Sequence, residues 1–205
     1  DEVDKDFLVS FRKLILSHVK KGKRFILIAG GGSVNTRYNA AARSITSISN
    51  DDLDWLGISF TRANAELLRV IFASHAYRKV IIDPTKKVAF KEKIMTAGGW
   101  KPGCSSDQDA VLLAKTFVVK TIINLSNFDY VCDKDPKKYS DAKSLKTISW
   151  KELRKILPAR WTPRLHSPFD PTAARTAQKL GLTVITINGK KHERLAQCLS
   201  KKKFE

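Results

Sequence analysis

Short, almost unbroken apolar runs set the tightest limit on what this chain can fold into. Residues 24–29 read Arg-Phe-Ile-Leu-Ile-Ala, residues 121–125 read Thr-Ile-Ile-Asn-Leu, and residues 182–187 repeat the pattern. A strand with one wet face alternates apolar and polar residues. A strand buried on both faces does not, and that burial belongs to parallel sheets covered by helices. Helical spacing fills the intervals. Phe7, Leu8, Phe11, Leu14, Ile15 and Val19 form one stripe over residues 6–20, stopped by Gly22. Further helices are predicted over 34–44, over 51–75 as one long or two shorter pieces, and over 107–115, 150–157, 170–181 and 191–199. Residues 79–82 and 93–97 are two more strand candidates, and 126–144 reads as a polar, charged loop. This alternation predicts a doubly wound α/β sheet.

The chain has 205 residues, 42% of them hydrophobic. That is one domain, or at most two small ones, with core enough to need no disulfide staples. Cys104, Cys132 and Cys198 are odd in number and widely spaced, which argues against a disulfide framework or a zinc knuckle and for a reducing, cytoplasmic setting. No apolar run reaches the roughly 20 residues of a membrane helix, and the acidic, polar opening does not read as a signal peptide. The charge is unusual: 38 Lys and Arg against 20 Asp and Glu give +18. Such a surplus attracts polyanions, although a solvated surface would serve equally well as its explanation. His18, His75, His166 and His192 are isolated and need no catalytic role.

In an open parallel sheet, ligands gather at the carboxyl ends of the strands. Four such ends carry chemistry. Gly30-Gly31-Gly32 lies between a strand and a helix, where bare backbone can approach a phosphate; a tight turn alone would need the same residues. It lacks the Lys-Ser/Thr of a Walker loop. Gly98-Gly99-Trp100-Lys101-Pro102-Gly103-Cys104-Ser105-Ser106-Asp107 is a shaped loop running into a helix. There Ser106 or Asp107 is the expected cap, and Ser106-x-x-Asp109 has the pattern of a capping box. Ser126-Asn127-Phe128-Asp129-Tyr130-Val131-Cys132-Asp133-Lys134-Asp135-Pro136-Lys137-Lys138 mixes carboxylates, an amide and lysines. It suits a ribose, a base and a phosphate chain, or a solvated turn. Asp170-Pro171 reads as an N-cap followed by a first-turn proline.

In this order, these pieces resemble the amino acid kinase superfamily over nearly the whole chain, and within it the uridylate kinases of the archaeal type. Gly103-Cys104-Ser105-Ser106-Asp107 is similar to that family's Gly-x-Thr-Thr-Asp, Asp170-Pro171-Thr172-Ala173-Ala174 to its Asp-Pro-x-Ala-Ala, and Asn188-Gly189 to its Asn-Gly after the last long strand. Asn127-x-Asp129 followed by Asp135-Pro136-Lys137 completes the set. The resemblance implies a three-layer α/β/α sandwich with a mainly parallel sheet. It implies a single domain with a nucleoside monophosphate lobe over about 1–120 and an ATP lobe over about 121–205. It also implies transfer of the ATP γ-phosphoryl group to UMP, a step of pyrimidine biosynthesis.

Carried over residue by residue, the resemblance puts Gly31, Asp54, Gly99, Trp100, Lys101, Pro102, Gly103, Cys104, Ser105 and Ser106 around UMP. It puts Gly32, Arg37, Ser126, Asn127, Cys132 and Asp135 around ATP, and Asp107 and Asp170 near the transferred phosphoryl group. Mg²⁺ is expected on the ATP phosphates, with no metal ligands from the protein, and a homo-oligomer, a hexamer of dimers, is expected. Neither a membrane nor nucleic acid is an expected partner. The chain departs from the family in several ways. Arg37 comes one residue late, Trp100 replaces a Thr, Lys101 a small polar or His residue, and Cys132 an aromatic for which neighbouring Tyr130 could substitute. The family's first strand, with its Lys and Gly-Gly-Ser, and its closing strand are expected to be missing from 1–205. Two other readings stay open at this point. One is a different small-molecule kinase of the superfamily. The other is a degenerate, basic nucleotide- or RNA-binding protein.

Overall fold

The computed structural model describes residues 2–136, 138–160 and 167–201. The chain divides into two compact units, one built from residues up to Phe117 and the other from Val118 onward. The expectations on Lys137, His166 and Lys202 to Glu205 lie outside the described residues.

In the first unit, helix α1 (Lys5–Lys20) starts at Asp4, whose carboxylate accepts the Phe7 N–H at 2.9 Å. Its stripe buries Phe11, Ile15 and Val19, and Phe11 meets Phe72 edge to face. Strand β1 (Phe25–Ile28) leads into α2 (Gly32–Ile45), and α3 (Asn50–Phe72) follows. The 51–75 stretch is thus one long helix, capped by the Ser49 hydroxyl and finished by a single 3₁₀ turn, Ala73–His75. Strand β2 (Ile94–Ala97) pairs in parallel with β1, Phe25 opposite Ile94 through Ile28 opposite Ala97. All four β2 residues, Thr96 among them, are buried, as in a strand covered on both faces. Helix α4 (Ser106–Thr116) packs Leu113 into a core with Ile81, Met95 and Ala97.

The strand expected over 79–82 does not form. Ala76 and Ile81 make only isolated bridges to Ile94 and Ala97. The reason is local: Asp83 turns the chain at once, its carboxylate taking the Thr85 N–H and its carbonyl the Lys86 N–H.

In the second unit, β3 (Thr121–Ser126) and β6 (Thr183–Asn188) form a six-residue parallel ladder. Between them come a two-residue hairpin, β4 (Val131–Cys132) with β5 (Ser144–Leu145), and helices α5 (Trp150–Ile156) and α6 (Pro171–Leu180); α7 (His192–Leu199) closes the unit. The Trp150 indole donates to the Leu182 carbonyl at 2.8 Å and packs on Phe169. Gly181 ends α6 in the left-handed conformation. Each ladder pairs two strands within one unit. The parallel ladders and the helices around them are those of an α/β fold. Among the described residues no helix is long and apolar enough to cross a membrane.

Candidate active site

The carboxyl ends of β1 and β2 release two loops on the same side of the first unit, Gly30–Gly32 and 98–105. Gly31 is the N-cap of α2, which therefore starts with no side-chain cap, and the first N–H groups of a helix have no partner within it. Gly32 sits at φ +67°, a conformation that L side chains resist. Asn64 of α3 donates to the Gly30 carbonyl at 2.7 Å and so ties the turn to that helix.

The second loop is held by α3. Asp54, Ile58, Thr61 and Arg62 share one face of the helix, at spacings of four, seven and eight. The Asp54 carboxylate accepts the Gly103 N–H at 2.9 Å. The Thr61 hydroxyl accepts the Gly99 N–H at 2.7 Å. Arg62 donates to the Gly99 carbonyl at 3.0 Å and to the Trp100 carbonyl at 2.9 Å. The approach is close enough that a Cβ on Gly98 would stand 2.8 Å from the Arg62 Cα. Burial pushes the Asp54 carboxyl up, the Gly103 N–H opposes this, and Asp51 adds a smaller upward push.

Of the residues expected around UMP, Gly99 to Ser106 form this one loop with Asp54 against it, and Gly31 stands at the neighbouring turn. Trp100 is half-buried and the exposed Lys101 ammonium lies 4.1 Å over its ring. Pro102, Cys104 and Ser105 are half-buried, while Gly103 and Ser106 are exposed. The expected cap needs correcting. Ser105, not Ser106 or Asp107, caps α4, its hydroxyl accepting the Gln108 N–H at 3.1 Å. No capping box forms with Asp109, because that carboxylate turns to the Trp100 N–H instead, at 3.1 Å. Asp109 is 1% exposed, and burial raises its carboxyl to about 7 against the opposing pull of the Trp100 N–H and Arg62. Asp107 lies half-buried in the first turn of α4, where a carboxylate suits the helix dipole. Arg37 is exposed on α2.

In the second unit, Ser126 and Asn188 form the last rung of the β3–β6 ladder, and the Gly189 N–H donates to the Ser126 carbonyl at 2.8 Å. Asn127 follows, exposed. Asp129 pairs with Lys191 at 2.6 Å and Arg194 at 3.5 Å, and the Lys191 hydrogen bond holds its carboxyl below the usual range. Arg194 also donates to the Tyr130 hydroxyl at 3.2 Å, which fixes that ring. Cys132 lies in β4, and its sulfur is 4.0 Å from the Tyr130 carbonyl and from the Ser144 hydroxyl. The Asp135 side chain is exposed, while its carbonyl accepts the N–H groups of Lys138 and Tyr139. Asp170 is buried, and one of its oxygens accepts the N–H groups of both Thr172 and Ala173 at the start of α6. The N-cap reading of Asp170-Pro171 therefore holds.

Three residues of the first unit carry no sequence expectation, Thr61, Arg62 and Asn64, and Asp109 was expected only in a capping box. A signal was present. On α3 the polar residues Asp54, Thr61 and Arg62 recur at helical spacing beside the buried Ile58. The same pattern on a solvated face looks identical.

The model of the amino acid kinase family matches residues 2–188. A uridylate kinase of Sulfurisphaera tokodaii is 31% identical, over 93% of this chain and 86% of its own length. One of Sulfolobus acidocaldarius is 30% identical, over 97% and 89%. Among solved structures, the uridylate kinase of Archaeoglobus fulgidus superposes with a TM-score of 0.83 at 26% identity, covering 98% of this chain and 91% of that one.

Proposed function

The chain belongs to the amino acid kinase family, and from that membership we propose that it transfers the γ-phosphoryl group of ATP to UMP, giving UDP and ADP. The observation that supports this best is the 98–105 loop, pinned at Gly99, Trp100 and Gly103 by α3 and Asp109 at the carboxyl end of β2. It offers a half-buried indole, a lysine and hydroxyls, which suit a base and a phosphate. Ser126, Asn127 and the loop after them, at the carboxyl end of β3, would take ATP.

Phosphoryl transfer asks little covalent work of a protein. A UMP phosphate oxygen is already ionised at neutral pH. It would attack the γ-phosphorus while the bond to the β-phosphate oxygen breaks and ADP leaves. Catalysis is then positioning and charge neutralisation. The N–H groups at Gly31 and Gly32 and the cations Arg37 and Lys101 would supply the neutralisation. Asp107 would organise a lysine or metal-bound water rather than accept a proton, and Asp170 would act near the same group. Among the described residues no three His, Cys, Asp or Glu side chains gather to hold a metal ion. In this scheme Mg²⁺ would arrive on the ATP phosphates, and when bound it would neutralise charge on the transferred group. We place the reaction in the cytoplasm and expect a homo-oligomer.

The test is turnover of UMP, CMP, AMP and small carboxylic acids with Mg-ATP. UDP formation with UMP preferred is expected. No nucleotide turnover, together with RNA binding of steep salt dependence, would overturn the reading. Within a working enzyme, Asp107→Asn is expected to lower kcat about 100-fold with UMP affinity little changed. An unchanged rate removes Asp107 from the chemistry.

A further inference from the structure

We propose that Asp109, acting with Arg62, is the positioning residue that sets acceptor affinity, by fixing the Gly99–Trp100 backbone of the 98–105 loop. The inference rests on the reading of that loop as the acceptor site. Asp109 touches no substrate in this scheme; it acts through the loop.

Three observations carry it. First, the loop's peptide groups are held from both directions. Arg62 takes the carbonyls of Gly99 and Trp100, while the Trp100 N–H donates to Asp109 Oδ2 at 3.1 Å. The Gly99–Trp100 peptide is thus held at its carbonyl by Arg62 and at its N–H by Asp109, and Arg62 also holds the carbonyl of the next peptide. Second, Asp109 is 1% exposed and, among the described residues, its Oδ1 has no hydrogen-bond partner. A buried carboxylate left half-satisfied on a helix is expensive to keep unless it serves something. Third, the indole that the loop presents hangs from the residue that Asp109 and Arg62 fix, with Lys101 seated over it. Moving that backbone moves both side chains.

Charge makes the arrangement titratable. Arg62 is the charged group that faces Asp109 from α3, and burial holds the carboxyl near neutrality, at about 7. Protonation removes the attraction to Arg62 and leaves a weaker acceptor for the Trp100 N–H. Acceptor affinity is therefore expected to fall as the pH drops below 7.

The experiment uses the full chain with Mg-ATP saturating and UMP varied between pH 6 and 8.5. The variants are Asp109→Asn, nearly isosteric and still an acceptor, and Asp109→Leu, which is neither charged nor an acceptor. Asp109→Leu is expected to raise the UMP KM at least ~10-fold, with kcat within ~3-fold and the ATP KM within ~2-fold. Asp109→Asn is expected to stay within ~3-fold of the wild-type KM at pH 8 and to lose the part of the pH dependence that Asp109 supplies. Hydrogen exchange of the Trp100 and Gly103 amides is followed in parallel. It should accelerate at least ~10-fold in Asp109→Leu, and it reads the loop whether or not UMP is turned over. Unchanged KM and unchanged exchange in Asp109→Leu overturn the proposal, as does a loss confined to kcat. If Asp109→Leu does not fold, an Asp109→Asn pH profile that tracks the wild type overturns it. If the wild type phosphorylates another acceptor, the UMP reading fails, and the same KM comparison for that acceptor decides the role of Asp109.

Discussion

Loop 98–105 of the first unit is fastened by buried and half-buried side chains from two helices, whereas loop 127–143 of the second unit is fastened by ion pairs open to water. In the first unit Asp54, Thr61, Arg62 and Asp109 hold five backbone groups of residues 99–103. In the second, Lys134 meets Asp141 at 2.6 Å with side-chain exposures of 35% and 74%, and Lys191 meets Asp129 at 2.6 Å with 46% and 37%. The chemistry of the bonds differs accordingly. An unmade hydrogen bond in a buried place costs about 1–3 kcal/mol, while an exposed ion pair contributes about 0–1 kcal/mol and fades with salt. One loop has its shape imposed by the body of its unit. The other takes its shape from the Asp133–Lys143 pairing that extends the β4–β5 hairpin and from a local turn at Asp135.

The sharpest way to break this contrast is through pH, because only the first loop rests on a buried carboxylate. Asp109 has its folded-state carboxyl raised to about 7 from an ordinary 3.8. The folded protein therefore favours the protonated form. Stability from this group is fully present below about pH 4 and is lost progressively as the pH rises to about 7, by up to about 4 kcal/mol. Chemical denaturation of wild type and Asp109→Asn across pH 4–8 isolates it. The difference between the two curves should change steadily over that window and flatten above it. A constant difference would mean that the carboxylate is well solvated and the contrast false.

Next in size is the close approach of the loop to α3. Gly98→Ala places a Cβ 2.8 Å from the Arg62 Cα and 3.1 Å from its backbone nitrogen. Helix backbone cannot yield as a flexible side chain does. A loss of about 2–3 kcal/mol is expected in denaturant titrations, with a raised UMP KM because Arg62 is displaced. A neutral substitution would show that the loop stands off the helix.

How far the sequence revealed these features follows from what kind of signal each one leaves. The strands β1, β2, β3 and β6 were legible because each is a short, mostly apolar run, although only β2 is buried along its whole length and the other three are largely half-buried. Helix α6 was legible because Asp170-Pro171 and Gly181 mark its ends. The β4–β5 hairpin was not, since two-residue strands are too short for any period to show. The loops of the site announced themselves by Gly and Pro. The side chains that hold them did not. Thr61 and Arg62 cannot be told from solvated positions by helical spacing alone, and Asp109 read as half of a capping box, because its true partner, the Trp100 N–H, lies nine residues back in the chain. Contacts of that kind exist only once the loop has folded over its helix.

Among the described residues of the second unit, Asp170 is the buried carboxylate to set against Asp109, and it is used differently. Asp170 satisfies two N–H groups at the start of α6 rather than a loop. Asp170→Ala should cost about 1–2 kcal/mol by leaving them unpaired, while Asp170→Asn keeps an acceptor and should cost much less. Turnover separates the two roles. If Asp170 also acts on the transferred phosphoryl group, Asp170→Asn keeps the melting temperature and loses kcat. If it only caps, both are kept.

The smallest effect is expected where the second loop meets α7. The Asp129 carboxyl lies below the usual carboxylate range because Lys191 hydrogen-bonds to it, with Arg194 and Asn188 adding to the effect. Yet the pair stands in water, which screens it and competes for both partners. Asp129→Ala should therefore leave the melting temperature within about 2 °C at moderate salt. Its consequence belongs to binding. Arg194 would be released from Asp129 but would still donate to the Tyr130 hydroxyl, so the ring keeps its partner while that partner loses its own anchor. The ATP KM should rise modestly while the UMP KM stays put, and the change should shrink in high salt. A large drop in melting temperature would show that this loop, too, is held by its unit, and the difference between the two loops would then be one of degree.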